Sequence, residues 1–342
     1  MPRAFIGISG SNSGAMTPAF FRGWLLALIL VGAFPASSTP QQSQPQQSTI
    51  RVNVDRVDVG VIVSDQHGQF VEGLHREDFR ILDNGTEQPL TDFADVEQPA
   101  QVLLLIEAGP AVYLLESGHV RAAHALLDGL SPDDRIGVVQ YAESPQGLLP
   151  FTVEKQAAAD ALDQVRFNLG FASLNLTASV AKILEGLAQV SGKKSIVLLS
   201  TGLDTSPPKE VAAALYQLET GDVLLMAVSL TGGLENPQPV DKKKKPAPKS
   251  VQTSEQFAQA NQLLKEMAES TGGRAFFPSN ANELQAAFAE IAQMARHEYS
   301  LAYVPPVRDG QLHKIEVHVN GPAGHVNHRR AYLAPAPPSP QP

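Results

Sequence analysis

Between residues 100 and 297 the chain repeats one pattern: a short apolar run, then a longer stretch of helical periodicity. The apolar runs predict strands at 102–107, 135–141, 195–200, 223–229 and 274–277, with a short edge strand near 148–152. The periodic stretches predict helices at 116–130, 154–166, 174–190, 207–219, 254–270 and 281–297. Strands that alternate with helices cannot pair as hairpins, so each connection must cross over the sheet. A doubly wound, mostly parallel α/β sheet is the fold expected of residues 100–297.

The first of these strands is the most informative. Val102 to Ile106 are all large and apolar, which suits a central strand covered on both faces. "VLLLIEAGPAVY" then places a carboxylate, Glu107, at the strand end, followed by Gly109 and Pro110. The carboxyl end of a central strand is where open α/β sheets keep their ligand sites. Two helix starts carry their own signals. Ser206 is positioned to cap a helix with Pro207 at its first turn. Asn280 with Glu283 three residues on matches a capping box.

The flanks read as β-structure. Residues 50–98 open with Ile50, Val52 and Val54, then shift phase to Val57, Val59, Val61 and Val63, which suggests a bulge or break near Arg56. "DNG" at 83–85 is a hairpin turn signal. In residues 298–334, "YSLAYVP" and "HKIEVHV" alternate, and "AYLAP" can close a third strand. Each flank alone has too few apolar residues for a core, so the two are expected to pack together as one β-sandwich-like lobe with the α/β domain inserted between them. Residues 335–342 form a Pro-rich tail.

The remaining segments carry no fold. "WLLALILVGAF" at 24–34 follows Arg3 and Arg22 and precedes the small residues "ASS", a secretory signal pattern with cleavage after Ser38. Met16 is a second candidate start, and an uncleaved anchor is the competing reading. Residues 39–49 are a Pro/Gln-rich tether. The expected location is therefore secreted, periplasmic or cell envelope, with no stable membrane span after signal removal. Residues 232–250, with Lys242–Lys245, read as a solvated loop, or as a basic handle for an acidic partner or anionic surface. A formal charge of −9 argues against nucleic acid, and the absence of cysteine excludes disulfides, zinc-thiolate sites and a thiol nucleophile.

Five segments in this order resemble a known family: "VSDQHGQFVEGLHREDFRILDNG" (63–85), "LSPDDRIGVVQY" (130–141), "KKSIVLLSTGLDTS" (193–206), "TGGRAFFPSNANEL" (271–284) and "YSLAYVPP" (299–306). Residues 50–334 resemble secreted bacterial proteins with a von Willebrand factor A-related domain. The resemblance implies a metal ion-dependent adhesion site, in which the first strand ends in Asp-x-Ser-x-Ser. A Thr comes from a later loop and an Asp from the end of a further strand. Such a set suits Mg²⁺, which takes six oxygens in strict octahedral geometry, with one position open to a partner's carboxylate.

Carried over position by position, the first Asp falls on Glu107 and the two Ser on Gly109 and Ala111, which offer no side-chain oxygen. The Thr falls on Ala172, with Ser173 beside it, and the last Asp falls on Thr201 in "LLSTGLDTS", with Asp204 three residues later. Asp204 is expected to cap the turn or the following helix. Most of the ligand set is gone, so the site is expected to be vestigial, with no metal and no cofactor. A lone buried charge is costly, so Glu107 must reach solvent or be hydrogen-bonded. The alternative is a rebuilt site from Glu107, Ser173, Thr201 and Asp204.

His313, His318, His325 and His328 read as surface residues rather than a metal cluster, because spacing alone makes no ligand set. No Ser/His/Asp arrangement has a strand-turn-helix context. The expected function is a non-enzymatic extracytoplasmic binding, adhesion or scaffold module with a protein partner that the sequence does not name. A metal-dependent adhesion module is the alternative, and a hydrolase at the strand ends is the remote one, supported by Glu107 alone.

Overall fold

The computed structural model describes residues 56–113, 115, 118–167, 173–235, 253–321 and 324–337. The expected signal peptide (1–38), the tether (39–49), the phase shift before Arg56, Ala172, the Lys242–Lys245 run and the last five residues of the tail lie outside the described residues. In chain order, β1 (Val57–Ser64), β2 (Phe79–Asp83), β3 (Thr86–Gln88) and β4 (Asp92–Glu97) come first. The α/β part follows: β5 (Gln101–Glu107), α1 (Pro110–Tyr113), α2 (Gly118–Gly129), β6 (Arg135–Tyr141), β7 (Pro145–Thr152), α3 (Lys155–Asp163), α4 (Leu176–Leu187), β8 (Lys194–Ser200), α5 (Pro208–Thr220), β9 (Val223–Ser229), α6 (Thr231–Glu235), α7 (Ser254–Ser270), β10 (Ala275–Phe276) and α8 (Ala281–Arg296). The chain closes with β11 (His297–Tyr303), β12 (Leu312–Val319), β13 (His325–His328) and β14 (Ala331–Leu333).

The central sheet has the order β10-β9-β8-β5-β6-β7. All its pairs are parallel except β6 with β7. Alternate residues of β5 serve opposite faces, as strand geometry requires. Val102, Leu104 and Ile106 pack with apolar residues of α2, α3 and α8. Leu103 and Leu105 pack with α4, α5 and α7. The doubly wound α/β architecture is therefore present, with every predicted strand and helix represented.

Strands from the two flanks pair with each other. One antiparallel sheet runs β13-β1-β11-β4 and a second runs β14-β12-β2-β3. Val57, Val59, Val61 and Val63 of β1 face Tyr299, Leu301 and Tyr303 of β11 and Phe79, Ile81, Ile315 and Val317 of the second sheet in one core. Ile62, on the other side of β1, packs into the α/β core instead. The hairpin at "DNG" has Asp83 opposite Thr86, with Asn84 at φ 46° and Gly85 at φ 79°. Two positive φ values make a primed turn, whose twist matches that of the strands.

The signals at the helix starts behave differently. Asn280 Oδ1 caps α8 by accepting from the N–H groups of Asn282 and Glu283. Glu283 reaches back one residue further than a capping box predicts, to the Ser279 N–H at 2.8 Å. The Ser206 cap is corrected: α5 starts at Pro208 with Pro207 before it. The Ser206 hydroxyl donates to Asp204 Oδ1 instead, at 2.8 Å.

The surface reading of the histidines also needs correction at one position. His313 is 4% exposed, and its Nδ1 lies 2.6 Å from Asp83 Oδ1. Asp83 Oδ2 also accepts from the hydroxyls of Tyr303 and Tyr332. His313 occupies an inward register position of β12, opposite Tyr332. A buried carboxylate with three donors makes burial of the ring tolerable. Among the described residues, no helix is long and apolar enough to cross a membrane.

Candidate functional site

The strand order reverses beside β5. From β5 the chain steps outward to β6 and β7, then returns to the other side of β5 as β8. Such a switch point opens a crevice outside the carboxyl ends of the two strands. Glu107 ends β5 there, and Ser200 ends β8 with Thr201 next in the chain.

Glu107 is completely buried. Its Oε2 accepts from the Thr201 N–H at 2.7 Å, the Thr201 hydroxyl at 2.8 Å and the Ser200 hydroxyl at 3.0 Å. The Tyr141 hydroxyl, at the end of β6, lies 3.3 Å from the same oxygen and 2.7 Å from Ser200 Oγ. One carboxylate oxygen thus ties the ends of β5, β6 and β8 together. Among the described residues the partners are neutral donors. The other oxygen, Oε1, has no hydrogen-bond partner among the described residues. Burial raises the Glu107 pKa above the usual carboxylate range, and the donors from Thr201, Ser200 and Tyr141 pull it back down. Burial and then the Glu107 charge hold the Tyr141 hydroxyl well above the ordinary phenol range.

Asp204 does not join Glu107. Its Oδ1 and Oδ2 accept from the N–H groups of Leu176 and Thr177, both at 3.1 Å. Oδ2 also accepts from the Thr177 hydroxyl at 2.6 Å, and Oδ1 from Ser206. These are the orphan donors of the first turn of α4. Asp204 therefore caps a helix that precedes it in the chain, as well as shaping its own turn. Ser173 is exposed.

A Mg²⁺ site asks for oxygens that are free to turn toward the ion at about 2.0–2.1 Å. The residues described here do not fit that demand. Thr201 spends its hydroxyl on Glu107, and both oxygens of Asp204 are engaged with α4 and Ser206. Gly109 and Ala111 have no side-chain oxygen. Among the described residues, no group of three His, Asp or Glu side chains could hold a metal ion.

Sequence reasoning singled out Glu107, Thr201 and Asp204 but missed Tyr141, Ser200 and Thr177. Tyr141 and Ser200 each end a predicted strand of the same sheet, and that shared position was the available signal. Beyond them, Ala108, Tyr141, Glu143, Arg166 and Phe167 border an open pocket of about 350 Å³ on the same edge of the sheet.

A Rossmann-like sheet with its crevice at β5 and β8 defines a class of α/β domain. The family model for the von Willebrand factor type A domain matches residues 120–290, half of the 342-residue chain, and the chain belongs to that family. A UPF0353 protein of Mycobacterium bovis is 24% identical over 192 residues, covering 52% of this chain and 53% of its own length. Another, from Mycolicibacterium paratuberculosis, is 24% identical over 231 residues, covering 61% and 64%. The chain thus spans between about half and two-thirds of the length of these curated relatives. Among solved structures, a von Willebrand factor type A protein from Catenulispora acidiphila aligns with a TM-score of 0.44 and 13% identity, over 77% of this chain and 74% of that one.

Proposed function

We propose that this protein is a non-enzymatic, extracytoplasmic binding or scaffold module whose family metal site is vestigial. The observation that carries the reading is the Glu107 cluster. Glu107 Oε2, in the position where the family places a metal-binding carboxylate, accepts hydrogen bonds from Thr201 and Ser200. The strand ends that a metal would bridge are bridged by these bonds instead. Recognition of a protein partner then falls to the loops around this edge, without an ion between the two surfaces.

The reading extends to the parts of the chain around the domain. A leader over 1–38 and a tether over 39–49 deliver the mature protein to the envelope or the medium. The β strands between residues 56 and 98 and those after residue 297 form one lobe that carries the α/β domain. Membership in the von Willebrand factor type A family supports binding over catalysis.

One observation favours the alternative of a rebuilt metal site: Glu107 Oε1 is buried without a partner among the described residues. The two readings separate in a single measurement. The melting temperature of the wild-type protein is compared in millimolar Mg²⁺ or Mn²⁺ and in chelator. A vestigial site gives no difference. A stabilisation by metal that Glu107→Ala removes would establish the rebuilt site.

A further inference from the structure

At the other end of the central sheet, about 20 Å from Glu107 along the seven residues of β8, the β-rich lobe meets the α/β layer across a second cleft. Its volume is about 350 Å³. The amino-terminal ends of β8 and β9 form one wall, and the outward side of β1 and β11 forms the other.

Three cations and three acids line this cleft. Lys194 Nζ donates to Asp222 at 2.8 Å and to the Val190 carbonyl at 3.0 Å. Asp58 is bound to Arg56 at 2.7 Å. Lys193 Nζ forms an ion pair with Glu298 Oε2 at 3.0 Å. Arg329 donates from Nη2 to the Asp58 carbonyl at 2.7 Å. Its Nε is shielded from solvent and has no acceptor, and no ion pair joins its guanidinium to a carboxylate among the described residues. Burial pushes both Lys193 and Arg329 below their ordinary pKa values, further than the nearby acids restore. A buried cation short of acceptors is costly unless something supplies them.

We propose that this interlobe cleft binds a small organic monocarboxylate, with its carboxylate on Arg329 and Lys193 and its apolar part against Ile62, Val223 and Leu224. Among the described residues, Arg329 is the one cation of the three without an ion-paired carboxylate, which fits a ligand of a single negative charge. Asp58, Asp222 and Glu298 would repel a ligand carrying several. Ile62 and Val223 are buried apolar residues at its wall, and the volume suits a molecule of amino-acid size. The planar guanidinium matches a carboxylate geometrically, which an ammonium does not.

The test compares an acid with its neutral isostere on the full chain. The probes are 4-methylpentanoate and 4-methylpentanamide at matched ionic strength. The melting temperature should rise with the acid and stay unchanged with the amide, and the dissociation constants should differ by about tenfold or more, the worth of one charge-assisted hydrogen bond. Arg329→Met should abolish the rise. The amide resonances of Gly192 and Gly272, which border the cleft, should shift in the wild-type protein with the acid only. That measurement stands even if Arg329→Met does not fold. No response to the acid, an equal response to the amide, or a response that leaves Gly192 and Gly272 unmoved would overturn the proposal.

Discussion

Glu107 accepts two hydrogen bonds from one residue, Thr201: the backbone N–H at 2.7 Å and the hydroxyl at 2.8 Å, both on Oε2. The two residues are 94 apart in the chain and sit at the ends of adjacent parallel strands. Thr201→Val keeps the shape and removes one bond to a carboxylate. The expected loss is about 1.5–3 kcal/mol, the range for hydrogen bonds to charged groups, read from the urea midpoint. The change also has a pH signature. The folded pKa of Glu107 is raised, so its contribution to stability is full below the unfolded value and is lost as pH rises through the folded one. Removing a bond that lowers this pKa should push that loss to higher pH and deepen it. An unchanged pH–stability curve in Thr201→Val would count against the bond.

Restoring the family pattern should create metal binding. The variant combines Glu107→Asp, Gly109→Ser, Ala111→Ser, Ala172→Thr and Thr201→Asp. Gly109 does not have a positive φ. A Cβ there would meet Leu174 Cδ1 at 3.1 Å, a close approach to the tip of a flexible side chain. If Mg²⁺ binds, a hundredfold excess over the dissociation constant gives about 2.7 kcal/mol, or roughly 4–5 °C in melting temperature for a compact unit of this size. No shift in the variant would mean that the loop positions, above all Ala172, are misassigned.

Asp134 is fully buried and joins three elements. It accepts from the Ala100 N–H at 2.8 Å, the Ser131 N–H at 2.7 Å and Arg296 at 3.1 Å. Ala100 leads into β5, and Arg296 ends α8. Asp134→Ala leaves the buried Ala100 N–H, the half-buried Ser131 N–H and a cation without this partner. The expected cost is about 3–5 kcal/mol, toward the lower end because Arg296 keeps Glu97 at 2.9 Å. Denaturant unfolding measures it, and a cost under 1 kcal/mol would contradict the role assigned to Asp134.

His313 should make the β-rich lobe sensitive to pH. Burial alone would lower its pKa, but the contacts with Asp83 and Asp309 outweigh it and leave the ring above its ordinary value. A raised folded pKa means stability that is complete below the unfolded value of about 6.5 and is lost as pH rises through the folded one. The melting temperature should therefore fall with rising pH in that window, and His313→Gln should flatten the fall. Titration of the His313 ring by NMR reads the same pKa directly.

Deletion of 298–334 removes β11, the neighbour of both β1 and β4, and β12, the neighbour of β2. Residues 56–98 should then become open to protease while the central sheet survives. Equal protection of that segment in the truncated protein would argue against a shared lobe.

The pattern of apolar runs and helical periods determined the central sheet, because burial on two faces favours the apolar residues that fill Val102–Ile106 of β5 and Ile196–Leu199 of β8. The "DNG" turn was equally legible, since two adjacent positive φ values demand Asn and Gly. The sequence also identified Glu107 as the residue at the crevice and showed that Gly109 and Ala111 bring no oxygens. Only the tertiary structure decided what Glu107 does there. Tyr141, Ser200 and Thr201 are 34, 93 and 94 residues away, and a hydrogen bond depends on ångström distances that chain spacing does not encode. The same holds for His313, whose face and Asp83 partner follow from the register of β12 against β2 and β14. It holds too for Arg329 and Lys193, which border one cleft because β1 and β11 pack beside the amino-terminal ends of β8 and β9.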